Sequence, residues 1–574
     1  MVTLTIDGYS LEVPAETTIL EAARKAGIEV PTLCHHPDQS VKGVCRVCVV
    51  EVEGARTFAA ACAQPVTDGM VVRTNTPAVR EARKVVVELM LATHPEDCLT
   101  CIRNQNCELQ ALAEQLGVRQ VRFDKVRRGL PFDMSSPSIV REPDKCINCR
   151  RCVETCHEVQ SVGVLYPTNR GHAAVVDLPY DEDLLELACA LCGQCIHACP
   201  VGAIRERDNV DDVWDAIADP SKHVVVQTAP AVRVTIGEEF GMEPGTVVTG
   251  KLAAALRRLG FDRAFDTDFS ADLTIMEEGN EFIHRLSSGG TLPLITSCSP
   301  GWIKYIEHCY PDLIPHLSTC KSPQQMFGAL AKTFYAEKEG IDPESIVVVS
   351  IMPCTAKKFE AQRPEMTDSG YPDVDIVLTT RELGRMIRES GVDWHRLPDE
   401  EYDNPLGIST GAAVIFGATG GVMEAALRTA YEVVTGETLA KIDFEEVRGM
   451  DGIKEADIPV GDISVKVAVA HGLSNAKQLL DAIVAGEADF HFIEIMACPG
   501  GCIGGGGQPI PTTNEVRRKR IAGIYQADRD LPLRKSHENP AVIALYEEYL
   551  GKPLGEKSHK LLHTEYTKRK IYAD

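Results

Sequence analysis

Residues 490–509 read FHFIEIMACPGGCIGGGGQP. An apolar run of strand length stops on Cys498, a second cysteine follows at Cys502, and four consecutive glycines close the segment. Two other stretches share this design: TLPLITSCSP (291–300) stops on Cys298 and Ser299, and ESIVVVSIMPC (344–354) stops on Cys354. With KHVVVQTAP (222–230) and the helical stretches between, the chain from residue 210 onward alternates as an α/β domain does. In open α/β sheets ligands sit beyond the carboxyl ends of the strands, so Cys298, Cys354, Cys498 and Cys502 can converge there from distant sequence. Distant thiols in one crevice imply a metal site. The glycines let backbone approach a bulky inorganic group. A phosphate cradle is the rival reading, but no Lys-Ser/Thr follows the glycines as in a P-loop. GATGGVMEAALR (417–428) is a second Gly-rich turn, which tight packing explains.

Working outward, the 574 residues exceed one hydrophobic core and predict a multidomain protein. The start MVTLTIDGYSLEV lacks an export signal, and no apolar run approaches the ~18 residues of a spanning helix, so a cytoplasmic protein without membrane insertion is expected. A net charge of -24 argues against nucleic-acid binding. RQVRFDKVRRG (119–129) is the local basic exception, read as a solvated linker or a docking patch for an acidic electron carrier.

Twenty-one cysteines without an export signal are not a disulfide framework. Fifteen lie before residue 200, in short-spaced clusters. Cys34, Cys45, Cys48 and Cys62 are spaced nearly as in plant-type ferredoxins, which ligate a 2Fe-2S centre, and VTLTIDGYSLEVP followed by TTILEAARKAG suggests a β-grasp domain. A structural zinc site is the alternative. His94, Cys98, Cys101 and Cys107 could bind zinc or a 4Fe-4S cubane; the neighbouring clusters favour iron and sulfur.

CINCRRCVETC (146–156) is echoed by CALCGQCIHACP (189–200), a repeat offset by 43 residues. In such two-cluster ferredoxins the fourth cysteine of each run ligates the other cluster. Cys146, Cys149, Cys152 and Cys199 should hold one cubane, and Cys156, Cys189, Cys192 and Cys195 the other. Four clusters in series form an electron wire.

TSCSPGW, MPCTAKKFE and EIMACPGGCIGGGGQP resemble the signature stretches of the iron-only (FeFe) hydrogenases, and RKSHENPAVIALYEEYLGKPLGEKSHKLLH (534–563) also resembles that group. The resemblance covers the whole chain and is similar to the clostridial monomeric form. It implies a multidomain α+β and α/β protein: a 2Fe-2S domain (1–78), a domain with a cluster held by one histidine and three cysteines (79–119), a two-cubane ferredoxin-like domain (120–209) and a catalytic domain (210–574). It implies an H-cluster, a cubane joined through a cysteine to a two-iron unit carrying carbon monoxide, cyanide and an amine dithiolate. Cys354, Cys498 and Cys502 match cubane ligands, with Cys502 bridging. Lys357 matches a donor to cyanide, with a structural ion pair as its alternative; Met352, Met496, Pro230 and Gln324 match residues beside the cofactor. Cys298, Glu278, Ser318, Glu281 and Arg285 match a proton path. Without the resemblance, Glu278, Glu281 and Arg285 read as an exposed helix face. Ala231 stands where relatives can carry serine.

The departure is Ser299, where the family's TSCCP has a ligand cysteine. Cluster iron favours thiolate over a hard alkoxide. Ser299 ligates, or Cys298 swings over to ligate, or the cluster is incomplete. Cys309 and Cys320 are possible substitutes that read better as buried structural cysteines. The expected activity is reversible interconversion of protons plus electrons and dihydrogen, in anaerobic metabolism, with ferredoxin or a similar carrier as partner. Maturation proteins would install the cofactor, and the chain would act as a monomer or as a subunit of a soluble complex. The rivals are an electron-transfer subunit of the complex I type, disfavoured by MPCTAKKFE and EIMACPGGC, and a hydrogenase-like protein without turnover, serving in sensing or cluster assembly.

Overall fold

The computed structural model describes residues 1–439, 441–461 and 463–571. Its first strands, Val2–Ile6 and Tyr9–Val13, pair antiparallel around Asp7 and Gly8, both at positive φ (47° and 89°). That two-residue turn matches the twist of the strands it joins. The sheet continues through Val71–Arg73, Val49–Val52 and Ala59–Ala60. The helix Ile19–Lys25 starts on a Thr18/Glu21 capping box and buries Ile19, Leu20, Ala22 and Ala23 against Leu4, Ile6, Val50 and Val72. This is the expected β-grasp arrangement. A helix capped by Thr76, Pro77–Thr93, then carries the chain to His94 at its carboxyl end.

In the region of the cysteine repeat the strands Ile139–Arg141 and Ile204–Glu206 pair antiparallel and bracket both cysteine runs. The 43-residue repeat is visible in the backbone itself. Asn148 and Leu191 both have positive φ (54° and 52°), as do Arg150 and Gly193 (62° and 69°). Left-handed non-glycine residues are costly, so their recurrence at equivalent positions marks a backbone shaped around something.

From residue 210 the α/β alternation builds two four-stranded sheets. One is all parallel, in the order Arg263–Asp266, His223–Thr228, Ile346–Met352, Ile376–Thr379. The other runs Leu294–Ile295, Phe492–Met496, Ile463–His471, Ile453–Val460, with only the last pair antiparallel. The strand before Cys298 is two residues long; Pro293 has no N–H with which to extend the ladder. The 22-residue helix Thr267–Ser288 buries Asp268, Asp272, Glu277, Glu278 and Glu281. The exposed-face reading of that helix is therefore overturned.

The regions interlock. In the Cys34–Cys45 loop, the Asp38 carboxylate accepts from the Asn514 N–H (2.8 Å), the first residue of the helix Asn514–Asp530, and lies 3.6 Å from Arg517. Gln39 donates to Thr155 (2.6 Å) beside Cys156. The basic segment 119–129 is a strap as much as a linker. Arg122 pairs with Glu88 and Glu81, and Arg128 donates to the carbonyls of Asp144 (2.6 Å) and Cys146 (2.7 Å). Among the described residues no helix is long and apolar enough to cross a membrane.

Candidate active site

The cysteine-bearing strand ends of both sheets meet at one cavity. Cys298, Cys354, Cys502, Lys357, Met352, Met496, Pro230 and Gln324 all line it. The rest of the wall is mostly apolar, contributed by Ala229, Ala271, Pro323, Pro353 and Phe416, with Thr267 the one further polar side chain. Cys498 lies behind it, buried, with its charge coupled to Cys354 and Cys502. Burial pushes the thiols of Cys298, Cys354 and Cys498 up, and that of Cys502 up to about 12. Thiols kept protonated by burial are poor free nucleophiles but become good ligands once a metal displaces the proton.

Ser299 and Cys298 face different surroundings. Cys298 lines the cavity, whereas Ser299 Oγ accepts from the N–H of Ala497 (3.2 Å), the residue preceding Cys498. Ser299 does not cap its own helix, Pro300–Cys309. Its oxygen is thus held on the side of Cys498.

Lys357 donates to Glu360 (2.8 Å), which also accepts from Ser322 (2.8 Å) and Gln324 (3.1 Å). The ion-pair reading holds, and the same side chain lines the cavity. Ala231 is fully buried and packs under Gly417 instead of lining the cavity. Cys309 is exposed at the end of its helix, against the expectation of burial; Cys320 is buried, within reach of Glu281 and His563.

Behind Cys298 the polar residues of the long helix line up. Burial pushes the Glu278 carboxyl up to about 8; a Ser318 hydrogen bond opposes this, and the charges of Glu281 and Glu494 add to it. Glu278 is in turn the largest charge acting on Cys298. Ser318 donates to Glu281 (3.3 Å), and Arg285 holds Glu281 at 2.5 Å while donating to the Leu317 carbonyl (2.8 Å). Glu494 was not legible in advance: it sits inside an apolar strand, accepting from Gly420 (2.7 Å) and Met423 (2.8 Å) at the start of the helix Gly421–Thr435. The Gly417–Gly421 turn serves this packing, since a Cβ at Gly420 would lie 1.9 Å from the Val447 carbonyl.

The glycine run 504–507 is closely approached by protein backbone. A Cβ on Gly506 would stand 2.3 Å from the Cys192 carbonyl and 2.7 Å from Gly193 Cα, and one on Gly505 would stand 2.2 Å from the Pro353 carbonyl. Bare backbone here seats the two-cubane region on the catalytic region. Gln194 donates to the Gly504 carbonyl (2.8 Å), Thr355 to that of Leu191 (2.8 Å), and Cys498 Sγ lies 4.0 Å from the Cys192 carbonyl.

The accessory cysteines also fit clusters. Cys34 is within hydrogen-bonding reach of Cys45 and Cys62, and Cys48 of Cys62. The left-handed turns aim N–H groups at sulfur: Asn148 at Cys146 (3.3 Å), Leu191 at Cys189 (3.4 Å) and, outside the turns, Val164 at Cys156 (3.4 Å). His94 Nδ1 is buried without a hydrogen-bond partner, and burial lowers its imidazole to about 4, the neutral form a metal needs. Cys98 is exposed, so that group lies at the surface.

Known proteins extend this picture along the whole chain. Residues 222–506 match the family "Iron only hydrogenase large subunit, C-terminal domain", and 514–569 match "Iron hydrogenase small subunit". Residues 1–77 match a 2Fe-2S iron-sulfur cluster binding domain, 83–122 the NADH-ubiquinone oxidoreductase-G iron-sulfur binding region, and 145–203 a 4Fe-4S dicluster domain. The chain is 56% identical to the NADP-reducing hydrogenase subunit HndD of Solidesulfovibrio fructosivorans (99% of each chain). It is 40% identical to Iron hydrogenase 1 of Clostridium pasteurianum (99% of this chain, 100% of that one). A solved variant of the [FeFe]-hydrogenase HydA1 from Chlamydomonas reinhardtii superposes with a TM-score of 0.58 at 48% identity, over 64% of this chain and 100% of its own. Full-length identity, the matched domains in order and the thiol-lined cavity agree, and the chain belongs to the iron-only (FeFe) hydrogenases.

Proposed function

We propose that electrons for the interconversion of protons and dihydrogen enter from ferredoxin or a similar small carrier and cross four accessory clusters in the domains 1–78, 79–119 and 120–209. The ligands are those read from the cysteine spacing: one 2Fe-2S centre, one cubane on His94, Cys98, Cys101 and Cys107, and two cubanes in the repeat. The observation that carries this reading is the contact of Cys192 and Gly193 with Gly506 and Cys498, which brings the repeat against the catalytic cavity. Gly506→Ala drives a methyl into the Cys192 carbonyl. Its expected outcome is slower delivery of electrons from reduced carrier to the site, with accessory iron content unchanged; stopped-flow absorbance checks it. His94→Ala is expected to alter one cluster signal and leave the others. Stoichiometric zinc at that site, with iron missing, would overturn the assignment.

In the catalytic domain (210–574), Cys354, Cys498 and Cys502 would hold the cubane of the H-cluster, with Ser299 at the fourth corner and Cys502 bridging to the two-iron unit. The bound group supplies the metal centre at which dihydrogen is made or split. Lys357 places a cation against it, and Met352, Met496, Pro230 and Gln324 supply further parts of the cavity wall. The Cys298 thiol, kept protonated by burial, holds a proton at Sγ; Glu278, Ser318 and Glu281 carry protons away from it or toward it. Arg285 positions Glu281. Maturation proteins would install the two-iron unit.

HndD is named as a subunit of an NADP-reducing hydrogenase, which favours a second reading of the partner: this chain working within a complex that passes electrons to NADP. Purification with and without co-purifying subunits, followed by assays with ferredoxin and with NADP, separates the two.

A further inference from the structure

Glu281 is only 7% exposed, and its charged partner Arg285 cannot release a proton at working pH. Exchange with bulk water therefore needs another group. We infer that His563 is the proton donor at the solvent end of the Glu278–Ser318–Glu281 path, delivering its proton through the Thr319 hydroxyl. This rests on the proton path proposed above.

The hydrogen bonds give the direction. Thr319 Oγ1 donates to Glu281 Oε2 (3.0 Å), and the same oxygen lies 2.8 Å from His563 Nδ1. The single hydroxyl proton is committed to Glu281, so Nδ1–H is the donor on the other contact. The polarity runs Nδ1–H to Oγ1–H to Oε2. On the far side of the ring, Nε2 meets Glu277 Oε2 (3.1 Å), a fully buried carboxylate that also accepts from the Tyr546 hydroxyl (2.5 Å) and the Leu554 N–H (2.8 Å). Glu277 thus fixes the ring, so that both of its nitrogens face oxygen atoms. The ring of exposed His559 stacks on His563 at 4.8 Å and 5°, which leaves the buried imidazole one ring below the surface. The titratable groups facing His563 are Glu277 and Glu281 from the long helix, Cys320, Tyr546 and His559.

In the transfer, the Nδ1–H bond breaks as its proton joins Thr319 Oγ1, whose own proton passes to Glu281 Oε2. Imidazolium becomes imidazole and carboxylate becomes carboxyl; no electrons move. His563 is reprotonated from water past His559. His563 comes from the carboxyl-terminal segment, 286 residues from Glu277.

The test uses the full cofactor-loaded chain and its variants H563Q, T319V and E281Q. Turnover is followed against pH and in light and heavy water, with the carbon monoxide and cyanide infrared bands as the check on loading. H563Q and T319V are each expected to lower turnover at least about tenfold and to change the pH profile. Free imidazole should restore part of the activity of His563→Ala. Parent turnover and pH profile in T319V and H563Q, with E281Q impaired, would overturn the role of His563 and leave the path standing. Parent turnover in E281Q would bring down the path and this inference together. If H563Q fails to load its cofactor, T319V decides, because valine keeps the shape and removes only the hydroxyl.

Discussion

Glu278→Gln is expected to lower hydrogen turnover by about a hundredfold or more, because it removes a titrating link while keeping size and hydrogen-bonding shape. The carboxyl is pushed up to about 8, chiefly by burial, so near neutral pH both of its forms are accessible, as a relay requires. The same shift sets a second, independent expectation. An unfolded glutamate releases its proton near pH 4.5, whereas the folded one keeps it to about 8. Between those values the folded state binds more protons, so the parent loses stability as pH rises through the window. Glutamine does not titrate. The variant should therefore gain on the parent in thermal or denaturant stability from about pH 5 to 8 while its turnover collapses. Equal pH dependence of stability in the two chains would refute the buried-acid description, and equal turnover would refute the relay.

Ser299→Cys is expected to raise the iron content of the catalytic cubane and the turnover together. A thiolate is a soft ligand for cluster iron, whereas the serine hydroxyl holds its proton tightly. The geometry sharpens the comparison: Ser299 Oγ sits on the Ala497 N–H beside Cys498, while Cys298 lines the cavity. Ser299→Ala should then cost one cubane of iron while the accessory clusters survive, and Cys298→Ala should spare iron content but stop turnover. Iron analysis and Mössbauer spectra of the full chain distinguish these outcomes. If Cys298→Ala empties the site and Ser299→Ala does not, the thiol has moved into the ligand position. Unchanged iron, infrared bands and turnover in Ser299→Cys would show that residue 299 does not limit the site.

The order of the iron-sulfur domains was legible because thiol spacing is a local property: closely spaced cysteines report a metal site with no knowledge of the fold. The strand ends at Cys298, Cys354 and Cys498 were legible for a similar reason, since apolar runs ending on polar residues mark sheet edges. Burial of Glu278 and Glu281 was not, because a helix periodicity with acids every third or fourth residue is the ordinary pattern of a wet face. What covers that face comes from Ser318, Thr319 and His563, far away in sequence. Glu494 was hidden in the same way, its partners being backbone N–H groups of residues 420 and 423. The glycines at 504–507 were read as making room, and backbone does approach them closely, that of Cys192 and Gly193 at Gly506 and that of Pro353 at Gly505. Close approach can be inferred from composition; what approaches cannot.

The contact between Asp38 and the Asn514 N–H spans 476 residues. At about 5–20 residues per second, a ribosome needs roughly 24–95 s to make the intervening chain. The domain that carries Asp38 can fold long before the helix that receives it exists. This contact is thus made late in biogenesis, long after the Gln39–Thr155 contact has become possible, and until then the Asp38 side of the Cys34–Cys45 loop stays uncovered. A chain that stalls or is cut before residue 514 would carry the folded domain with Asp38 lacking this seat.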